Sequence, residues 1–523
     1  MEYDYIIIGG GSAGCVLASR LSADARNKVL LIEAGKSHHS PFIQIPFLTV
    51  FTLPLWIKNW HFITEPQAAL NQRKCYQPRG KVLGGSSSIN AMIYIRGQHE
   101  DYDGWAQSCG GQCSFSSVLP IFRSFENNQQ LHDQWHGQNG ELSVTNLYSP
   151  NPASETFVQA AMDCGHPLNQ DFNGASQYGV GLYQVTQKNG RRHSAADAFL
   201  DPVAERNNLT LMLNTYALKL IMDGKRCKGV YIRYRGKNKE VFARKKIILS
   251  AGAIKSPQLL LLSGIGSQEA LYPFNIPLVH ELPGVGKNFH DHPDYVLCYR
   301  SQHSDLLGFN PVGIWDMLKA YRNYRRQPIG MMTTNFAEAG GFLSTVSNNK
   351  RPNIQLHFVT GIVDNHARKI HFHRGMSCHV CVLQPESRGF IGLRSSNPFH
   401  APRIDPNFLN EESDCKIMID GYKLTREIME QHSLAPYRGK MLYPATSDEE
   451  ILHRIRQRTD TVYHPVGSCR MGVDEMAVVD PYLRVHGIEN LMVVDASIMP
   501  QIISGNTNAP SLINFAACSA III

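Results

Sequence analysis

The stretch that most constrains the fold is DYIIIGGGSAGCVLASRLSADARNKVLLIEAG, residues 4–35. Tyr5–Ile8 is a continuous apolar run, the pattern of a strand buried on both faces. A glycine turn follows, then a helix with an apolar stripe at Val16, Leu17 and Leu21, then a second apolar strand at Val29–Ile32. The pattern is one βαβ unit. Gly9, Gly11 and Gly14 form G-x-G-x-x-G between strand and helix. In that setting Gly9 permits the tight turn, Gly11 lets the main chain approach a pyrophosphate, and Gly14 lets helix and strand pack closely. Ser12 and Ala13 then open a helix whose free N–H groups face the phosphates. Glu33 closes the second strand 24 positions after Gly9, where an acid binds ribose hydroxyls and repels a 2′-phosphate. The unit predicts a dinucleotide and does not choose between FAD and NAD.

The 523-residue chain is long enough for two or more domains. After residue 35 comes a turn-rich stretch to about 110 and a mixed region to about 205. NLTLMLNTYALKLIMDGKRCKGVYIRYRGKNKEVFARKKIILSAGA (208–253) then reads as a strand meander returning to a buried strand at Ile247–Ser250. Between about 300 and 455 the texture changes. NIQLHFVT, SCHVCVLQ and GFIGLRS read as strands of an antiparallel sheet, and CKIMIDGYKLTREIMEQ as a helix. The glycine-rich texture resumes after 455. The expected architecture is α/β, α+β overall. A discontinuous Rossmann-like dinucleotide domain (1–155, 190–305 and 455–523) receives an inserted antiparallel-sheet-plus-helices substrate domain (156–189 and 306–454).

The net charge of +7 comes from 51 basic and 44 acidic residues that are interspersed, and no long run of like charge indicates a nucleic-acid partner. The 12 cysteines are scattered. Cys378 and Cys381 fall on a strand, facing opposite ways, so neither a redox nor a chelating pair is expected there, and reduced thiols are the expectation throughout. No basic leader precedes the first strand, and no stretch of eighteen apolar residues offers a spanning helix. The expected location is cytoplasmic, extending to the inner face of the cytoplasmic membrane. IPFLTVFTLPLWI (45–57) is apolar but short and broken by Pro54; it reads first as a pocket wall or lid, with docking on a bilayer surface as the alternative.

Further segments choose the cofactor. GKVLGGSSSINAMIYIRGQHEDYD (80–103), GAIKSPQLLLLSGIG (252–266), YHPVGSCRMG (463–472), LMVVDASIMP (491–500) and SGNTNAPSL (504–512) occur in order. With the opening unit they make the chain resemble the glucose–methanol–choline (GMC) flavoprotein oxidoreductases from residue 3 to 517 or beyond. The resemblance implies FAD. It implies that Ser12, Ala13 and Gly14 lie at the pyrophosphate, Glu33 at the adenosine ribose, and Ala217 at the adenine through its backbone. Val82, Gly85, Ser86 and Asn90, Ala91, Met92 and Ile93 would run past the phosphate, ribityl chain and flavin ring, with backbone N–H groups of Asp495 and Ala496 near the ribityl–phosphate. Relatives that bind FAD covalently use a histidine at the position of Ile89, so non-covalent FAD is expected.

The same resemblance implies chemistry. Oxidising an alcohol requires a group that takes the hydroxyl proton and a donor that steadies the oxygen as charge builds. Histidine suits the first task. His464, fixed before Pro465 and Gly467, is the implied base, and Asn508 is the matched partner, an amide that donates but does not titrate; Asn506 is expected to serve the turn. A small-molecule primary alcohol is the implied substrate, choline among the candidates, with a quinone or other carrier as electron acceptor. Alternatives on the same scaffold are an oxygen-using oxidase and a non-redox lyase of the hydroxynitrile-lyase kind. His290, Asp291 and His292 in GKNFHDHP have metal-like spacing but sit in a family loop, and no metal is expected. Glu338 is a candidate for meeting a cationic substrate, and 359–375 for a pocket entrance or homodimer contact. The last residues, AACSAIII, depart from the charged helical continuation seen in the family.

Overall fold

The computed structural model describes residues 1–54, 58–109, 111–346 and 351–513. The expectation about AACSAIII, and the end of the 45–57 segment, fall outside them. Two seven-stranded sheets organise the chain. The first has the order Leu209–Met212, Val29–Ile32, Glu2–Ile8, Lys237–Leu249, Arg226–Tyr234, Thr215–Asp223. Its parallel core is set by apolar runs facing helices on both sides: Ile6 pairs with Leu30 and with Ile247, and all three are fully buried. The 13-residue strand Lys237–Leu249 serves two purposes. Its first half closes the antiparallel meander, and its end pairs in parallel with both Glu2–Ile8 and Leu491–Val493.

The second sheet is antiparallel, in the order Met441–Leu442, Pro293–Ser301, Arg374–Val382, Ile354–Val359, Ala337–Leu343, Gly179–Leu182, with Asp460–Thr461 also pairing Pro293–Ser301. Period-two alternation divides its faces. Ile354, Leu356 and Phe358 join an apolar cluster with the helices Pro152–Asp163 and Glu412–Met429. His357 and Val359 face the other way, into a cavity between the two sheets. The sequence segmentation is corrected here. Pro293–Ser301 and Asp460–Thr461 were expected with the dinucleotide domain but hydrogen-bond into the second sheet, a non-local pairing that no local pattern announces. Phe390–Gly392 is also outside that sheet, in a separate hairpin with Arg403–Asp405.

The expectation of reduced thiols is corrected at one place. The helix His99–Cys109 ends and a 3-10 turn at Gly111–Cys113 folds back, leaving the Cys109 and Cys113 Cα atoms 6.3 Å apart and joined by a disulfide. Nine other cysteines of the described residues are free, Cys378 and Cys381 among them.

Residues 45–53 form a cover. Ile45 and Phe47 are buried against Tyr324 and Met332, while Thr49, Val50 and Leu53 line the cavity. The described part of the apolar segment is therefore a lid and pocket wall. No described helix is long and apolar enough to cross a membrane.

Candidate active site

The cavity runs from Glu33 and Ala217 at one end to His464 and Asn506 at the other. Its glycine-turn end is made by steric necessity. Gly9 has φ +110°, and a Cβ there would sit 2.3 Å from Ser250 O; one on Gly14 would sit 1.9 Å from Gly9 O. Gly11 differs, since an added Cβ would meet nothing nearer than Ser250 O at 4.0 Å. Protein packing does not demand glycine there; a ligand against the main chain does. Gly85, at φ +55°, places its Cβ direction 2.7 Å from Gly11 Cα, so the two loops back onto each other. Glu33 accepts from Gly10 N at 2.9 Å and Gly35 N at 2.7 Å, and burial pushes its pKa up to about 7.

The loop after Gly85 is clamped by a residue not singled out from sequence. Arg192 is buried, which lowers its pKa to about 9, and donates to Asn90 Oδ1 and Asn90 O, each at 2.7 Å. Asn90 Oδ1 in turn accepts from Met92 N at 3.0 Å, with Met92 held at φ +61°. Gly85, Ser86, Ile89, Asn90, Ala91, Met92 and Ile93 all line the cavity. Asp495 and Ala496 do so from the opposite side, the Asp495 carboxylate accepting from Gly252 N, Ser256 Oγ and Ser497 N. Two of the residues that the resemblance implies lie off the cavity wall. Val82 is not on the cavity wall; it packs with Ile43 and Ile89. Gly14 is not on the wall either, and serves helix–strand packing.

His464 is built from two segments 172 residues apart. His290 and Val466 exchange backbone hydrogen bonds, aligning NFHDHP with YHPVG. Tyr463 adopts φ +76° and Gly467 φ +86°, bracketing the imidazole between a left-handed residue and a proline. Asp291 Oδ1 accepts from His464 N at 2.9 Å, and its other oxygen accepts from Thr461 Oγ1 at 2.5 Å. His292 Nε2 lies 3.0 Å from Leu383 O and must donate to it; its Nδ1, 3.1 Å from His464 Nδ1, is then an acceptor. His464 therefore carries its proton on Nδ1 and presents the lone pair of Nε2 to the cavity. Burial pushes His292 down to about 3 and His464 well below its ordinary 6.5, with His292, His357 and Arg79 opposing a charge on His464. Both rings are neutral at rest.

The side chain beside that lone pair is Asn506, not the Asn508 that the resemblance implies. Asn506 Nδ2 lies 3.2 Å from His464 Nε2, while its Oδ1 accepts from Gln355 Nε2 at 3.0 Å, which fixes the amide's orientation. Asn508 instead accepts from Ser12 Oγ at 2.7 Å, at the glycine-turn end of the cavity. It also starts the helix Asn508–Ile513. Asn508 lines the cavity with its Oδ1 turned to Ser12. The HDH triplet has roles other than metal binding: His290 donates to Asn288 O and accepts from Ile502 N, and the other two hold His464. Glu338 is not on the cavity wall. It is buried and accepts from Thr334 Oγ1, Ser154 Oγ and Asn151 N. Val359, Val363 and Ala367 of the 359–375 loop do line the cavity.

Family models described as GMC oxidoreductase match residues 3–294 and 385–514. The chain belongs to the GMC oxidoreductase family. It is 45% identical over 98% of its length to an alcohol dehydrogenase [acceptor] of Pseudomonas putida, of which 94% is covered. It is 40% identical, with the same coverages, to an oxygen-dependent choline dehydrogenase of Escherichia coli O139:H28 (strain E24377A / ETEC). The crystal structure of pyridoxine 4-oxidase from Mesorbium loti superposes with a TM-score of 0.89 at 30% identity, covering 99% of each chain. As a GMC oxidoreductase this protein is a flavoprotein enzyme with FAD as cofactor. The residues present fit that group: an open Gly11, a helix N-terminus, a buried acid at the end of the second strand, and a clamped loop at Asn90–Ile93.

Proposed function

We propose that the protein oxidises an uncharged primary alcohol to an aldehyde, with His464 as base and Asn506 as the donor that steadies the reacting oxygen. The observation that carries this reading is the relay Leu383 O, His292, His464, Asn506, which leaves His464 Nε2 unprotonated toward the cavity. An alcohol oxygen entering between Asn506 Nδ2 and His464 Nε2 accepts the amide N–H and gives its proton to Nε2. Gln355 prevents the amide from turning its oxygen toward that point, so the alkoxide-like oxygen always meets a donor. The imidazolium that forms is disfavoured by burial when alone, and is compensated only while the oxygen beside it is negative. When bound, FAD supplies the acceptor for the hydride from the same carbon. FAD is held without a covalent link, since Ile89 lies in an apolar cluster and offers no nucleophile.

The wall supports an uncharged substrate over choline. Arg79 lines the cavity, donates to Tyr463 O at 2.8 Å, and bears on His464 electrostatically. Among the described lining residues the carboxylates are Glu33 and Asp495, both engaged by backbone N–H groups at the glycine-turn end. Ile93, Phe336, Val359, Val363 and Val462 supply an apolar wall. A quaternary ammonium in that setting would face the Arg79 guanidinium with no carboxylate of the described wall beside it. The acceptor of this reading is a quinone or similar carrier. An anaerobic flavin-bleaching screen over alkanols, benzylic alcohols, polyols and choline tests it. Bleaching by alkanols or benzylic alcohols is expected; an unbleached flavin with every alcohol refutes oxidation, and faster bleaching by choline refutes the substrate class. Faster reoxidation by air than by a soluble quinone refutes the acceptor.

A further inference from the structure

The 16-residue helix Pro311–Arg326 carries two opposed faces. Met317, Ala320 and Tyr324 pack inward against the cover formed by Ile45, Phe47 and Phe51. The outward face exposes Ile314, Trp315 and Leu318, which are 48%, 67% and 56% accessible. Their helical spacing places them together over about a turn of helix. Lys319, Arg322, Arg325 and Arg326 are exposed around them, and the helix's one acid, Asp316, is engaged by Arg374 at 2.6 Å.

We infer that this face docks the enzyme on an anionic lipid surface. A helix with aromatic and aliphatic residues on its outer face, rimmed by basic side chains, lies in the headgroup boundary with the apolar groups inserted and the cations on lipid phosphates. A second copy of the chain is a poor occupant, because two-fold pairing of this face would set its arginines against one another. From sequence, 45–57 reads first as a pocket wall or lid, with bilayer docking as the alternative. The described part of that segment is the layer beneath the helix, and its Thr49, Val50 and Leu53 line the cavity. Docking would thus bring the cover of the cavity to the lipid boundary, where apolar molecules partition. The docking claim stands on the surface alone and does not depend on the reaction assigned to the cavity.

Flotation of the FAD-loaded enzyme with phosphatidylcholine vesicles, with and without phosphatidylglycerol, tests it. The wild type should float with the anionic vesicles and lose that binding as salt is raised. Trp315→Ser/Leu318→Ser should bind at least ~10-fold more weakly, the scale of withdrawing two partly inserted side chains. Arg322→Gln/Arg325→Gln, a change of exposed charges only, should weaken binding to anionic vesicles and keep the wild-type melting temperature and flavin content. Absence of wild-type flotation, or equal flotation of all three proteins, would overturn the inference. So would a wild-type dimer that the variants convert to monomer with flotation unchanged.

Discussion

His292→Leu is the most informative single change. His292 Nδ1 accepts from His464 Nδ1–H, and nothing else among the contacts of His464 does so. Leucine fills comparable space but leaves that N–H buried and unpaired, a cost of about 1–3 kcal/mol. The alternative tautomer, with the proton on Nε2, escapes this cost but points a proton at the Asn506 amide and has no lone pair for the substrate. Each 1.36 kcal/mol moved from the productive to the unproductive tautomer is about tenfold in the competent fraction. Anaerobic flavin reduction should therefore fall ~10–100-fold while FAD stays bound. His292→Asn should recover much of the loss, because an asparagine Oδ1 occupies the place of the histidine Nδ1 and accepts the same bond. Stopped-flow reduction of the holoenzyme by a saturating alcohol reads this directly. Reduction by His292→Leu within about twofold of wild type would refute the relay.

Three further expectations follow the same geometry. His464→Ala and Asn506→Ala should each keep FAD and lose ~10²-fold or more in flavin reduction, whereas Asn508→Ala should release flavin more readily on dilution; the reverse pattern would restore the sequence-based pairing. Because burial depresses the His464 pKa below its ordinary 6.5, the neutral base persists above that range and is lost only as pH falls through the depressed value. The acid limb of kcat/KM for flavin reduction should thus lie below pH 6.5, and a midpoint above 7 would contradict the neutral resting state. Gly85→Ala puts a Cβ 2.7 Å from Gly11 Cα at a φ of +55°, so it should purify with markedly less FAD and a lower melting temperature, measured by absorbance and calorimetry.

Local features were legible and paired ones were not. The βαβ unit with Glu33 and the proline-fixed His464 announce themselves because each is written within a few dozen consecutive residues. Asn506 and Asn508 sit in one loop, are chemically identical, and are separated only by which way the chain turns before its last helix. Choosing between them needs Gln355 and Ser12, which lie on other segments. His292 looked metal-like because its partner is 172 residues away, and Arg192 gave no sign because a buried arginine clamping main chain resembles any surface arginine in sequence. The Asn151 and Ser154 contacts of Glu338 were hidden for the same reason. The misassigned strand Pro293–Ser301 directly follows the loop that supports His464, so sequence continuity concealed a change of sheet.

The route of the chain through the first sheet has a consequence for biosynthesis. Ile6 lies beside Ile247, and Ile247 beside Leu491. The glycine turn leaves the ribosome hundreds of residues before the strand Leu491–Val493 that flanks its supporting sheet and before the cavity-lining Asp495, Ala496 and Asn508. A nascent chain can form the opening βαβ unit but cannot close the flavin compartment until synthesis has passed residue 508. Flavin loading is therefore expected only after synthesis has passed residue 508, and conditions short of flavin should accumulate an apoprotein with its two sheets formed and its inter-sheet cleft hydrated.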